Sequence, residues 1–358
     1  MDRHDLPNHI TAKDIAKMHQ EDLKIEHKFN CRGLTYWCDE ERGTAFCLIE
    51  APNRGAIEAM HNHAHGAVAH SIIEVEDKIV ASFLGRIEDP VKAKNVELNI
   101  INEPAFRTIV VIKVKKMNLN NHDSKKHQNL QKSILTIMRN FKGRVVKQQS
   151  GYFLTSFESV TKAVLCALEI QSKTKQLICN PPSHIKINIG ISAGIPVTER
   201  GGIFEDTIKL AQRLCNIVKG NIVLSSEVKD LYESENLNSF INEKTSSLNS
   251  SEEKFLTTFM NYTENKWNFN NLKIDSFSTE LGYSKSQLYR KITTLTGKSP
   301  NIFIKEYRLN QALKLLKKQT NSISEIAFKT GFNTPAYFSK CFFETYGILP
   351  SNYIKEKL

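Results

Sequence analysis

The pattern of hydrophobic and polar positions changes along the chain, and each pattern predicts a different kind of structure. Through residues 11–28 and 53–66, apolar positions recur every three or four residues, as on one face of a helix. LTYWC and AFCLIEA are β-prone runs separated by the turn-like segment DEERGT, and SIIEV follows as another strand. With a strand before the first helix, this segment is predicted to have the order βαββαβ.

The middle of the chain repeats this style on a larger scale. RTIVVIKVKK and IKINIGISAGI are typical of buried strands, and RVVKQQ and YFLTSF flank a turn at residues 150–151 as a hairpin. Helices are predicted over residues 125–141, 158–176 and 204–218, and NIVLSS is a further strand. The first and middle segments therefore both predict a ferredoxin-like α+β sandwich.

The last hundred residues have helical periods throughout. Two short helices each end at a glycine, where the chain needs a residue that tolerates a positive φ. After each glycine, apolar residues recur four positions apart, Leu288 with Ile292 and Phe338 with Phe342. Between the two units, IFIKEYRLNQALKLLKK predicts a long amphipathic helix. The predicted fold class is thus a multidomain chain, two ferredoxin-like sandwiches followed by an all-α domain with two helix-turn-helix units.

Two stretches interrupt these patterns and are predicted to be linkers. Residues 79–106 mix charge with two prolines and show no long helical period, and residues 234–253 are rich in Ser and Asn. The predicted domains are therefore residues 1–78, 107–233 and 254–358. A chain of 358 residues has room for two or three domains of about 100–200 residues each.

The net charge of +11 is distributed unevenly. Residues 1–105 carry −6, residues 106–250 carry +10 and residues 251–358 carry +7. The basic parts suit a polyanionic partner. No apolar run reaches the ~18 residues of a membrane span and no apolar signal region is present, so no membrane partner is expected. Seven cysteines without a CxxC pair suit a reducing cytoplasm, which is the predicted location.

The chain from residue 274 to residue 354 resembles the DNA-binding domain of AraC/XylS transcription regulators. The match is carried by LGYSKSQLYRKITTLTGKSP, RLNQALKLL and ISEIAFKTGFNTPAYFSKCFFETYGILPSNYI. One such helix pair would also fit an ordinary αα-hairpin, but two copies joined by one long helix favour the regulator. The resemblance implies double-stranded DNA as the partner, with the helices opened by Ser284 and Thr334 in two successive major grooves.

The outward positions of these two helices are the candidate DNA contacts. They are Ser286, Gln287, Arg290 and Lys291 in the first helix, and Thr334, Ala336, Tyr337 and Lys340 in the second. Gln287 and Arg290 are predicted to read bases, because Gln suits adenine and Arg suits guanine by bidentate hydrogen bonding. Tyr337 is a candidate for contact with a thymine methyl, and the two lysines for contact with phosphates.

Residues 108–228 resemble the class III nucleotide cyclase domain, through GRVVKQQSGYFLTSFESVTKAVLCALEIQ, IKINIGISAGI and GGIFEDTIKLAQRLCNIVKGNIVLSSEV. The resemblance implies two metal-binding aspartates, but Lys113 and Gly151 stand at their positions. A lysine there repels a divalent cation, so neither a catalytic metal nor enzyme activity is expected. Lys209 and Arg213 stand at the positions of the family's Asn–Arg pair, of which only the Arg is kept, and they are candidate anion ligands of a non-catalytic nucleotide pocket. A dimerising module, and a cyclase with an attached DNA-binding domain, are the alternatives.

Eight of the 11 histidines lie within residues 1–70. In MHNHAHG, His61 and His65 are four positions apart on one helical face, a spacing that lets two imidazoles share a metal ion. Imidazole suits nickel, copper, zinc and iron, so the ligand type does not choose among them. Solvated histidines near a helix end would show the same spacing.

The first 76 residues resemble a family of small ferredoxin-like proteins described as nickel-binding. MDRHDLP, ITAKDIAKMHQEDL, YWCDEERGTAFCLIEAPN and HNHAHG carry the match. The resemblance implies a homodimer that binds nickel or another divalent transition metal, with His4, His61, His65 and next His19 as candidate ligands. Cys47 is expected to belong to the core. The whole sequence predicts a DNA-binding transcription regulator that senses a metal or small-molecule effector. A metal-storage protein would leave both helix-turn-helix units unexplained.

Overall fold

The chain has an amino-terminal α+β part, a middle α+β part and a helical carboxyl-terminal part. A computed structural model describes residues 1–90, 98–116, 124–149, 151–178, 185–199, 201–236, 244–318 and 321–355. In these stretches, no helix combines the length and the apolar character that crossing a membrane requires.

The first part has the predicted element order. Its elements are β1 (Asp2–Asp5), α1 (Ala12–Ile25), a 3₁₀ turn (Glu26–Phe29), β2 (Arg32–Asp39), β3 (Thr44–Glu50), α2 (Arg54–Ala64) and β4 (Ser71–Ile72). The strands lie in the order β2-β3-β1-β4, and all neighbours are antiparallel. Thr11 caps α1 in a capping box with Asp14, and Asn53 caps α2. The short strand β1 is thus held between β3 and β4.

A third helix, α3 (Asp77–Leu84), begins two residues before the predicted linker and continues into it. Its side chains Val80 and Phe83 are buried in one hydrophobic cluster with Trp37 of the first sheet and Leu154 of the second. The pattern missed α3 because eight residues make only two turns, too short a stretch to show a long helical period. The described residues of 79–106 therefore pack the two sheets together, and residues 91–97 of that stretch lie outside the described part.

In its described residues, the middle part contains six strands and four helices. They are β5 (Arg107–Lys116), α4 (Ser124–Asn140), β6 (Arg144–Gln149), β7 (Tyr152–Phe157), α5 (Val160–Ile178), β8 (Ile185–Gly194), α6 (Glu205–Asn216), β9 (Ile222–Leu224), α7 (Ser226–Glu235) and β10 (Ser246–Ser247). The strand order is β10-β9-β8-β5-β7-β6. The predicted β6–β7 hairpin is confirmed by antiparallel pairing, although residue 150 of its turn lies outside the described part.

The central strand β5 is buried on both faces. Val110 and Ile112 pack in the cluster formed with α4 and α5, whereas Ile109 and Val111 pack in the cluster that contains α3 and α6 residues. This alternation follows from the two-residue period of a strand, and it explains the continuous apolar run in the sequence. The face of β5 toward α6 therefore meets the amino-terminal part.

The described residues of the carboxyl-terminal part form seven helices. They are α8 (Ser250–Lys266), α9 (Ile274–Leu281), α10 (Lys285–Thr296), α11 (Pro300–Lys318), α12 (Ile323–Lys329), α13 (Pro335–Tyr346) and α14 (Pro350–Lys355). The stretch predicted as the second linker, 234–253, holds the end of α7, β10 and the start of α8 in its described residues. Residues 237–243 of it lie outside the described part.

The helical part has two hydrophobic cores that share α11. Phe303 and Ile304 of α11 belong to a core with α8, α9 and α10, and Leu309 and Leu316 belong to a core with α12, α13 and α14. The first core also contains Leu214 of α6, so it continues into the middle part. The long helix predicted between the two units thus joins them through packed side chains at both ends.

Candidate nucleic-acid interface and metal centre

Caps and turns fix the start of each predicted reading helix. The Ser284 hydroxyl accepts a hydrogen bond from the Gln287 backbone N–H at 3.3 Å to cap α10, and Thr334 accepts from the Tyr337 N–H at 3.2 Å to cap α13. Gly282 and Gly331 have φ values of +69° and +77°, in the left-handed region that the turns require. The predicted glycine turns are confirmed.

Each reading helix has one buried face and one exposed face. Leu288 and Ile292 of α10 and Phe338 and Phe342 of α13 are fully buried, as predicted. Seven of the eight candidate DNA contacts are exposed: Ser286, Gln287, Arg290, Thr334, Ala336, Tyr337 and Lys340. Periodicity therefore separated the inner and outer faces correctly.

The side chains of Gln287 and Lys291 also contact groups within the chain. The Gln287 side-chain oxygen accepts from the Ser284 backbone N–H at 3.0 Å, which completes a capping box. The Lys291 ammonium is half-buried and lies 5.1 Å from the centroid of the Tyr283 ring. Tyr289 of α10, which the sequence analysis did not select, is 52% exposed and is a further aromatic side chain on this surface.

In the first part of the chain, His61 is buried between two carboxylates. Its Nε2 lies 2.9 Å from Asp2 Oδ2, and its Nδ1 lies 3.1 Å from Asp22 Oδ1. His65 Nε2 lies 3.3 Å from Asp22, and His4 Nε2 lies 3.7 Å from Asp2. Three of the four predicted histidines therefore converge, on two aspartates that the sequence analysis did not select.

These side chains form two donor groups, which are Asp2 with His4 and Cys47, and Asp22 with His61 and His65. Within each group, the donor atoms lie within 4.8 Å of one another. His19, the fourth predicted ligand, lies outside both groups and packs on Tyr36, with 5.0 Å between ring centroids. Cys47 is buried in β3 as expected for a core residue, yet its thiol belongs to the first group.

Opposite charges in this cluster stabilise one another. Burial by itself lowers the pKa of His61, but hydrogen bonds to Asp2 and Asp22 outweigh it and raise the pKa to about 10. Burial by itself raises the pKa of Asp2, but hydrogen bonds to His4 and His61 hold it well below its usual range. At neutral pH, His61 is therefore an imidazolium ion held by two carboxylates.

The donor types fit a divalent transition metal. Imidazole and thiolate are ligands for nickel, zinc, copper and iron, and carboxylates complete such sites. A metal ion would have to replace the proton of His61, and also that of Cys47, whose thiol pKa is raised well above its ordinary value by burial. The residues present therefore fit a metal that competes with protons.

In the middle part, Lys113 and Gly151 are the residues that the sequence resemblance aligned with the cyclase aspartates. Lys113 lies on β5 between Tyr152 of β7 and Asn188 of β8, and burial lowers its pKa. Gly151 opens β7 with φ at +83°. Among the residues that the structure describes, both metal-donor groups lie before residue 66, and the middle part contributes none.

The candidate anion ligands Lys209 and Arg213 both contact Glu264 of α8. The Arg213 guanidinium is buried and meets the Glu264 carboxylate with Nη2–Oε2 at 2.9 Å and Nε–Oε1 at 3.3 Å. It also donates to Asn261 Oδ1 at 2.7 Å. The Lys209 ammonium lies 3.6 Å from Glu264 Oε2. In this structure, the cations of Lys209 and Arg213 are therefore both paired with a carboxylate of the chain itself.

Known proteins resemble the carboxyl-terminal and the amino-terminal part of the chain separately. Residues 277–356 match the family model described as a helix-turn-helix domain. The carboxyl-terminal region is an AraC-type helix-turn-helix domain. The AraC-type domain is similar to the HTH-type transcriptional regulator MtrA of Neisseria gonorrhoeae, with 34% identity over 93 residues, covering 26% of this chain and 29% of that protein. Residues 1–75 match the family model described as nickel responsive protein SCO4226-like.

Two further similarities extend beyond the AraC-type domain. Histidine kinase P4 of Formosa agariphila is 24% identical over 361 residues, which covers 96% of this chain and 24% of that protein. A solved adenylate/guanylate cyclase/hydrolase from Silicibacter pomeroyi is 28% identical and covers 36% of this chain and 80% of that chain, with a TM-score of 0.32. The chain thus spans about a quarter of the length of the two curated relatives named here.

Proposed function

We propose that this protein is a cytoplasmic, DNA-binding transcription regulator and not an enzyme. The pair of helix-turn-helix units carries the proposal. Their inner faces are fixed by two cores that share α11, and their outer faces expose polar and aromatic side chains. A helix pair that served only for packing would not need two such faces on one basic domain. Double-stranded DNA is the proposed partner, read in two successive major grooves.

The exposed side chains have different proposed roles. Arg290 reads a guanine by bidentate hydrogen bonds, and Tyr337 contacts a thymine methyl. Lys340 and Lys291 contact phosphates. Gln287 contacts a base through its amide N–H groups, because its oxygen is engaged in the cap of α10. Ser286, Thr334 and Ala336 are small side chains that lie close to the DNA backbone and the base edges.

Selection from random DNA with the full-length protein would provide the preferred site, and fluorescence anisotropy would test it. We expect Arg290→Ala to weaken the preferred site by about 1–3 kcal/mol and to relax preference at one base pair. We expect Lys340→Ala to weaken binding to all DNA sequences alike. It should also reduce the slope of the logarithm of the binding constant against the logarithm of salt concentration by about one. Arg139→Ala and Lys173→Ala, at exposed positions of α4 and α5, are the matched controls. If Arg290→Ala and Lys340→Ala both lost affinity equally for all DNA sequences, these roles would be contradicted.

We propose further that the first domain has a ferredoxin-like fold and holds nickel or another divalent transition metal. The strand order β2-β3-β1-β4 and the family match over residues 1–75 support the proposal. The ligands would come from the two donor groups defined above. A bound ion would supply positive charge in place of the His61 proton and tie β1, α1 and α2 together. The metal, or a small molecule, is the proposed effector, and the active form is a homodimer.

A further inference from the structure

A cavity of about 1220 Å³ lies where the three parts of the chain meet. The segment from Glu74 to Phe83 forms one wall, the face of β6 and β7 forms another, and α6 with Glu264 of α8 forms the third. Ligand sites in proteins usually measure about 300–1,000 Å³, so this cavity has room for an organic molecule.

Much of the cavity surface is apolar. Ile79 and Phe83 of α3, Leu154 of β7 and Ile208 of α6 line it, together with the turn at Gly201 and Gly202. The charged side chains on the wall before and within α3 are Glu74, Glu76 and Lys78. A ligand that fills this space would therefore need an apolar body.

The wall formed by α6 and α8 contains the ion cluster of Arg213, Lys209 and Glu264. The Glu264 carboxylate forms ion pairs with both Lys209 and Arg213. Glu264 and Lys209 both line the cavity. Glu264 is one-third exposed, whereas Arg213 is 5% exposed by its side chain. The carboxylate thus marks a position at which an anionic group is held by a buried guanidinium and a nearby ammonium.

We propose that this cavity binds a small organic anion with an apolar body, whose acidic group takes the place of the Glu264 carboxylate against Lys209 and Arg213. Exchange of one carboxylate for another keeps Arg213 paired, which a buried guanidinium requires. Glu264 is released toward solvent, and the contact between α6 and α8 changes. The ligand is thereby an effector, a role that rests on the proposed function in DNA binding.

Helix α6 connects the cavity to the first reading helix. Ile208 and Lys209 face the cavity, whereas Leu214 lies in the core that contains Leu288 and Ile292 of α10. Lys219, just after α6, donates its backbone N–H to the Leu295 carbonyl of α10 at 2.8 Å. Displacement of Glu264 therefore acts on two helices, α6 and α8, whose side chains share one hydrophobic core with α10.

Fluorescence titration of the full-length protein with 8-anilinonaphthalene-1-sulfonate tests the site, because this probe joins an apolar body to an acidic group. We expect Lys209→Gln to weaken binding roughly tenfold, by loss of a charge-assisted contact. We expect Glu264→Gln to strengthen it by a few-fold, because the competing carboxylate is gone. Lys173→Gln on α5 and Glu233→Gln on α7, both at exposed positions, should leave binding unchanged.

Competition with 4-phenylbutyrate and 4-phenylbutan-1-ol separates an anion site from a merely apolar one. The acid should displace the probe at far lower concentration than the alcohol. Equal displacement by both, or an unchanged affinity in Lys209→Gln, would overturn the proposal. Lys209 is 34% exposed, so its substitution keeps the test valid even if Glu264→Gln fails to fold.

Anisotropy with the selected DNA tests the effector role. Saturating 4-phenylbutyrate should change the DNA affinity of the wild type several-fold, and should have a much smaller effect on Lys209→Gln. Probe binding without any effect on DNA affinity would overturn the effector role. Failure to bind any DNA would instead refute the proposed function, and the probe titration does not depend on that result.

Discussion

Substitution of His61 tests the charge balance in the first domain most directly. Its ring bridges Asp2 and Asp22 at 2.9 and 3.1 Å, and its side chain is 1% exposed. His61→Ala leaves two buried carboxylates without their cation. Removal of one partner from a buried pair costs about 3–5 kcal/mol, so we expect the metal-free variant to lose about that much free energy of unfolding.

Urea unfolding in a Trp267→Phe background measures this change, because Trp37 is then the only tryptophan and is buried in the cluster that joins the first two domains. His63→Ala is the control, since His63 is exposed on the same helix and should change the free energy by less than about 0.5 kcal/mol. A loss below 1 kcal/mol in His61→Ala would mean that His61 does not hold the two aspartates together. Nickel at 100 times its Kd should add about 2.7 kcal/mol to the wild type and little to His61→Ala.

The pH dependence has a definite sign. Because the pKa of His61 is raised to about 10, its contribution to stability is complete below its ordinary value of about 6.5 and is lost as pH rises toward 10. The pKa values of Asp2 and Asp22 are lowered, so their contribution is lost as pH falls below the ordinary aspartate range. The metal-free wild type should therefore lose stability between pH 6.5 and 10 with a slope that His61→Ala lacks. Nickel binding at pH 7 should release a proton, which calorimetry in two buffers of different ionisation enthalpy would detect.

Three further predictions concern the other domains. Phe342→Ala should lower the free energy of unfolding by about 3–5 kcal/mol, because the ring is fully buried and lies tilted against the Tyr346 ring with centroids 4.6 Å apart, and denaturant unfolding would measure the loss. Gln287→Glu should preserve the capping box and helix stability but lower DNA affinity through repulsion between the carboxylate and the DNA phosphates. If anisotropy showed an unchanged affinity, Gln287 would not be part of the interface. The unaltered protein should form no cyclic nucleotide from ATP or GTP with manganese, because Lys113 stands where a metal ligand is needed, and a detectable product would refute this.

The elements that the sequence predicted well are those whose signal is local. The continuous apolar run of β5 indicated a strand buried on both faces, and the i, i+4 pairs of α10 and α13 placed the inner and outer faces of these helices. The exposure of Arg290 and Lys340 followed from the same pattern. The glycine turns were likewise readable, because a positive φ at Gly282 and Gly331 is required by the backbone itself.

The features that the sequence did not reveal depend on long-range contacts. Asp2 meets His61 across 59 positions and Asp22 meets it across 39, and no spacing rule connects residues so far apart. The contact of Arg213 with Glu264 likewise spans 51 positions. His19 has the residue type of a metal ligand, but its place on α1 turns it onto Tyr36, outside both donor groups. Residue type selected the candidates, and only the packing of β1, α1 and α2 decided among them.

Among the described residues, one of the two helix-turn-helix units shares its hydrophobic core with the middle part of the chain. The core around α10 includes Leu214 and Val223 of the middle part, whereas the described members of the core around α13 lie between the start of α11 and the end of α14. In the proposed complex with DNA, a change in α6 would therefore act directly on the contacts in one major groove and through α11 on those in the next. A footprint of the regulated complex should shorten from one end while the other end stays protected. When the proposed effector binds, promoters with a strong half-site for α13 would then remain occupied. Promoters with a weak half-site for α13 would be released.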